Sequence, residues 1–132
     1  MKSAYYQLIV QINKAIETCD TAFLATHVAE DMQWNIIGNK QISGKMDFLK
    51  CCSDTPFKDN TIKITVTQIL IDGDRAAAEG IMEAETLSGK PYRQQFCDLY
   101  LFEHNLVKKL TSYFDTAHVK ETFASEPIHQ NH

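Results

Sequence analysis

The feature that most constrains the fold is a change of hydrophobic period near the middle of the chain. Up to about residue 55, apolar side chains recur every three or four positions, and from Ile62 onward they recur every second position. The first spacing buries one stripe of a helix and the second buries one face of a strand. Helices followed by strands define an α+β domain in which a curved antiparallel sheet wraps around N-terminal helices. A chain of 132 residues has room for one core of ordinary size. We expect one domain over residues 1–124 and a flexible tail over 125–132, where a proline and two histidines leave little to bury.

In the helical half, Tyr5, Leu8, Ile9, Ile12, Ile16 and Cys19 form the stripe of a first helix. Asp20 and Thr21 offer capping oxygens to a short second helix over 22–29. An extended segment over 32–37 follows and ends at Gly38-Asn39. A third helix opens at Ser43-Gly44 and stops before Pro56. In the second half, turns at Asp72-Gly73-Asp74, Ser88-Gly89-Lys90 and His104-Asn105 divide four strands, which predicts a meander. Residues 116–124 suit a closing helical turn.

Composition removes several classes of function. Hydrophobic residues at 44% and charged residues at 23% describe a chain able to fill a core. With 13 Lys and Arg against 17 Asp and Glu, the net charge of -4 lacks the basic excess of a nucleic-acid binder, so nucleic acid is not an expected partner. No apolar run approaches the roughly 20 residues of a membrane helix, and the N-terminus runs into a helix pattern instead of a cleavable signal; a cytoplasmic setting is expected. Cysteines at 19, 51, 52 and 97 lack CxxC or zinc spacing and read as small hydrophobes, with neither a disulfide nor a metal expected.

The order of elements, with the strings AEDMQWNIIG at 29–38, DGDRAAAEG at 72–80, SGKPYRQQFCDLYLF at 88–102 and LVKKLTSYFDT at 106–116, resembles the nuclear transport factor 2-like (cystatin-like) superfamily. Within it the chain is similar to the SnoaL-like polyketide cyclase and ketosteroid isomerase group. The resemblance implies a cone-shaped fold holding a pocket for a small apolar or ring-containing molecule. It also implies cofactor-free acid–base chemistry (isomerisation, cyclisation or hydrolysis), or else a non-catalytic ligand-binding or interaction module.

Carried over by position, the resemblance implies a concave wall of Trp34, Ile36, Glu79, Ile81, Glu83, Phe96, Asp98, Tyr100, Leu110, Ser112 and Phe114. Leu8 and Ile12 from the first helix and Phe48 from the third complete it. Where the ketosteroid isomerases have an aspartate base and a tyrosine, this chain has Ile36 and Ile12; their carboxylic oxyanion donor matches Asp98. At the Asp-Arg-Asp positions of the limonene-type epoxide hydrolases stand Ile81, Glu79 and Ser112.

Asp98 lies among aromatic and aliphatic neighbours, where desolvation raises a carboxyl pKa. It is expected either as a proton donor or as a structural acceptor. With Glu79 in the same cleft the two carboxyls would act as acid and base; alternatively Glu79 pairs with Arg93 or a lysine. Trp34, the single tryptophan, suits either a ring-shaped ligand or core packing. Tyr100 and Ser112 offer hydroxyls, and His27 reads as structural. The opposite parity, namely Ala76, Ala78, Met82, Ala84, Cys97, Leu99, Leu101, Val107 and Tyr113, predicts an apolar convex face that pairs two copies into a homodimer.

Overall fold

The computed structural model describes residues 3–126. Helix α1 (Ala4–Thr18) begins where the Ser3 side chain accepts from the Tyr5 N–H, and it ends at Cys19, whose φ of 57° lies in the left-handed region. Helix α2 (Thr21–His27) is capped by Asp20, which accepts from Phe23 N at 3.1 Å. The chain passes directly into strand β1 (Val28–Ile36), turns at Gly38 and returns as β2 (Lys40–Ser43). Gly38 has φ +79°, and a Cβ there would meet Thr116 Oγ1 at 2.9 Å, so only glycine fits the turn.

Helix α3 (Lys45–Ser53) precedes the long strands β3 (Lys63–Asp72), β4 (Arg75–Glu85), β5 (Pro91–Glu103) and β6 (Leu106–Phe114), and helix α4 (Thr116–Phe123) follows. The β5–β6 turn places His104 and Asn105 both at positive φ, 53° and 64°, the left-handed pair that a two-residue hairpin requires.

The sheet order is β2-β1-β6-β5-β4-β3. The meander expected over the second half is present, and the sheet has six strands because β1 joins β6 in parallel and β2 adds an edge. Strand β2 escaped sequence reading because Lys40-Gln41-Ile42-Ser43 holds one apolar residue, Ile42, the only one of the four to be buried.

One core cluster joins Ile9, Ile12 and Ala15 of α1 to Ala76, Ala78, Tyr100, Phe102 and Leu110 on the sheet's concave face. Tyr5 stacks on Phe102 at 4.1 Å. A second, smaller cluster gathers Phe57, Ala84 and Tyr92, with Ile62, Met82, Val119 and Phe123 packed on it. Among the described residues no helix is long and apolar enough to cross a membrane. The expected C-terminal tail falls largely on residues 127–132, outside those described.

Candidate functional site

A cavity of about 280 Å³ lies along the seam between the two clusters. Trp34, Ile36, Leu110 and Phe114 come from one side, and Phe57, Ile62, Met82, Val119 and Phe123 from the other. Sheet register builds its floor. Asp98 of β5 pairs directly with Ser112 of β6, and Ser112 pairs with Ile36 of β1, so these side chains share the concave face. The indole of Trp34 donates to Ser112 Oγ at 2.9 Å, and the Ser112 hydroxyl bonds the Asp98 carboxyl. Phe48, fully buried, holds the indole edge-on at 5.5 Å.

Among the described residues Asp98 is the single carboxylate lining the cavity. Desolvation deep in the protein pushes its pKa up to about 6, against the opposing pull of the Ser112 hydrogen bond. Behind it Tyr100 is 2% exposed and accepts from Asn13 Nδ2 at 3.3 Å; burial first, and the Asp98 charge second, push its phenol up. Burial likewise raises the thiols of Cys51 and Cys52, the latter to about 12, so both cavity-lining cysteines are weak nucleophiles.

Of the residues expected at the site, Trp34, Ile36, Phe96, Asp98, Leu110, Ser112 and Phe114 line the cavity. Ile12 and Phe48 are buried in the core behind its wall, and Tyr100 reaches it only through Asn13. Glu79, Ile81 and Glu83 are corrected outright. Strand β4 pairs with β5 without interruption from Arg75↔Leu101 to Glu85↔Pro91, so Ala78 stands opposite Asp98 and Glu79 opposite Cys97. Glu79 is exposed on the convex face and shares no cleft with Asp98. The physical reason is that RAAAEG carries no strong alternation: three alanines fit either face, and the buried parity is Ala76, Ala78, Gly80, Met82 and Ala84. Ala76, Ala78 and Ala84 are thus buried, and Met82 lines the cavity, instead of standing on the convex face. Val107 also faces inward: Phe102 keeps the concave parity of Asp98 and Tyr100, and the register shift after Leu101 brings Val107 opposite it and into the core.

Gly80 explains how Phe96 fits. A Cβ there would lie 2.6 Å from Phe96 Cζ and 2.5 Å from the Thr65 carbonyl oxygen, so the missing side chain is what gives the Phe96 ring its place on the concave face. His27 stays apart from the cavity; its ring stacks on Phe23 at 4.0 Å and its Nδ1 bonds the Phe23 carbonyl oxygen.

Asn13 and Gln94 were missed from sequence. Asn13 sits inside the buried stripe of α1, a polar residue among Ile9, Ile12 and Ile16, and that placement was its signal. Gln94 shares the parity of Phe96 and Asp98. Among the described residues no group of three His, Cys, Asp or Glu stands together as a metal donor set.

A curved six-strand sheet with helices on its concave side, enclosing an apolar cavity with a buried carboxyl, defines an α+β fold of the cone-shaped kind. A family model for the SnoaL-like domain matches residues 9–110, and the chain belongs to that family. No curated protein matches the sequence significantly. Among solved structures, an NTF2-like protein from Cytophaga hutchinsonii is 25% identical, covering 80% of this chain and 94% of its own at a TM-score of 0.64. A candidate SnoaL-like polyketide cyclase from Jannaschia sp. CCS1 is 11% identical, with coverage of 96% and 99% and a TM-score of 0.76. TerC, co-crystallised with polyporic acid, is 15% identical, with coverage of 93% and 100% and a TM-score of 0.80. The last two share the fold.

Proposed function

We propose that this SnoaL-like chain binds a small, ring-containing apolar molecule and moves a proton on it without a cofactor, with Asp98 as the acid–base group. The observation that carries this is the lone cavity carboxyl, raised to about 6 and fixed by Ser112. A group titrating near neutrality can both take and return a proton. With Glu79 on the other face, no second carboxyl divides the work, so one group must do both steps. Isomerisation or cyclisation through an enol suits that arrangement: the carboxylate removes a proton α to a carbonyl, the electron pair moves onto the carbonyl oxygen, and the carboxyl returns the proton to carbon.

The test is exchange of α protons of 2-tetralone in D₂O, followed by proton NMR. Acceleration by the wild-type protein that disappears in Asp98→Asn supports proton transfer. Equal rates for the two proteins support a binding module instead.

We also propose that the convex face joins two copies of the chain. Register places Leu70, Ala77, Leu99 and Thr111 in one row across β3 to β6, with Cys97 beside Tyr113 in the next. Leu70, Leu99 and Tyr113 are 59%, 42% and 44% exposed. Exposed Leu70, Leu99 and Tyr113 beside Cys97 make an apolar centre, bordered by Glu79, that favours a partner over solvent.

A further inference from the structure

We propose that the cavity floor selects a compound of about two fused rings that donates a hydrogen bond, such as a phenol or an enol, over a ring of the same shape that can only accept one. This rests on the cavity being a ligand pocket and does not depend on turnover. Size sets the ring count: a cavity of roughly 150 Å³ accommodates one benzene, and this one measures about 280 Å³.

Polarity follows from where the donors of the floor already go. The Trp34 N–H is taken by Ser112, and the one hydroxyl proton of Ser112 is taken by Asp98. Both protons of the Asn13 amide are committed, one to the Ile9 carbonyl oxygen at 2.9 Å and one to the Tyr100 oxygen at 3.3 Å. Turning the amide over would set two oxygens against each other at Ile9, so its orientation is fixed. What remains for a ligand is the Asn13 carbonyl Oδ1 and the free lone pairs of the Asp98 carboxylate. Both are acceptors. A ligand that sets a carbonyl or ether oxygen directly against these two groups would leave them desolvated and unpaired, which is the costly outcome, whereas a ketone that turns its α C–H toward Asp98 keeps its oxygen away from them. Toward the second cluster the polarity reverses, because Tyr92 donates to Gln94 Oε1 at 2.5 Å and leaves the Gln94 amide protons for a ligand acceptor.

The test compares 2-naphthol with 2-methoxynaphthalene at about pH 7.5 by calorimetry, with the single indole N–H resonance of Trp34 reporting occupancy of the site. We expect 2-naphthol to bind about tenfold more tightly. Asn13→Leu should erode that preference, and Asp98→Asn, which turns an amide donor toward the cavity, should reverse it. Equal affinities in the wild-type protein would overturn the inference, as would failure of both compounds to bind or to shift the Trp34 resonance. Neither result touches the proton-transfer proposal, which stands or falls on 2-tetralone exchange; conversely, a tenfold preference without exchange leaves the donor-selective pocket in place.

Discussion

Asp98 and Ser112 face each other across strands β5 and β6, and the Ser112 hydroxyl bonds the Asp98 carboxyl while its own oxygen is held by the Trp34 indole at 2.9 Å. A buried carboxyl that is oriented in this way keeps one face for a ligand and cannot turn away from it. Removing the middle member tests the chain of contacts. Ser112→Ala should raise the Asp98 pKa further, since the lost hydrogen bond favoured the charged form. It should also lower stability by about 1–3 kcal/mol, because the Trp34 N–H loses its partner. Carboxyl NMR titration and urea unfolding read the two effects; an unchanged titration would show that Ser112 does not hold the carboxyl.

The raised pKa makes stability depend on pH with a definite sign. Between the unfolded carboxyl value of about 4 and the folded value of about 6, the native state holds a proton that the unfolded chain has released. This contribution is fully present below about pH 4 and is lost as pH rises through about 6, amounting to about 2–3 kcal/mol. Asp98→Asn should remove that slope and be more stable than wild type at pH 8. Urea midpoints measured across the range check both statements.

Glu79→Gln should leave the Asp98 titration where it is. Glu79 stands opposite Cys97 on the exposed convex face, and desolvation, not a neighbouring negative charge, is the largest cause of the Asp98 shift. A fall in the Asp98 pKa upon this substitution would restore a coupled pair.

Gly80→Ala should destabilise the fold by about 1–3 kcal/mol, the usual cost of overpacking. The new Cβ meets the Thr65 carbonyl oxygen, which is backbone, as well as the Phe96 ring. Ligand affinity should fall with it, since the ring can yield only by moving into the cavity. Wild-type stability in this variant would mean that β3 yields at the register shift between Val66 and Gln68 where it pairs with β4.

Leu99→Lys places a charge at the centre of the convex patch and should convert a dimer to monomers while leaving the cavity intact. Light scattering at micromolar concentration, with 2-naphthol binding as the control, separates the two. A wild-type chain that is already monomeric would remove the dimer from the account.

How far the sequence showed all this depended on how strongly each segment alternates. The period change gave the helices, and strand β6 was bounded at Leu106–Phe114 because LVKKLTSYF is flanked by a tight turn and Asp115. On β5, bulky Phe96 and Tyr100 mark the concave parity, and Asp98 was placed with them. The RAAAEG opening of strand β4 offers small residues to both faces, and Ile81 and Met82 put one larger apolar side chain on each, so its parity came out reversed, carrying Glu79 and Ile81 to the wrong face. Asn13 was passed over for another reason: a helix stripe is read from its apolar members, so its one local signal, a polar residue inside the stripe, carries little weight while its partners lie on the backbone and on β5.

The most direct test of the central claim is the titration of Asp98 followed by carbon-13 NMR of its carboxyl in the free wild-type protein. The account predicts a midpoint near 6, mirrored by the Trp34 indole resonance through Ser112 and absent from that resonance in Asp98→Asn. A midpoint near 4, or an indole resonance indifferent to it, would contradict the claim that Asp98 is a desolvated, Ser112-held proton carrier.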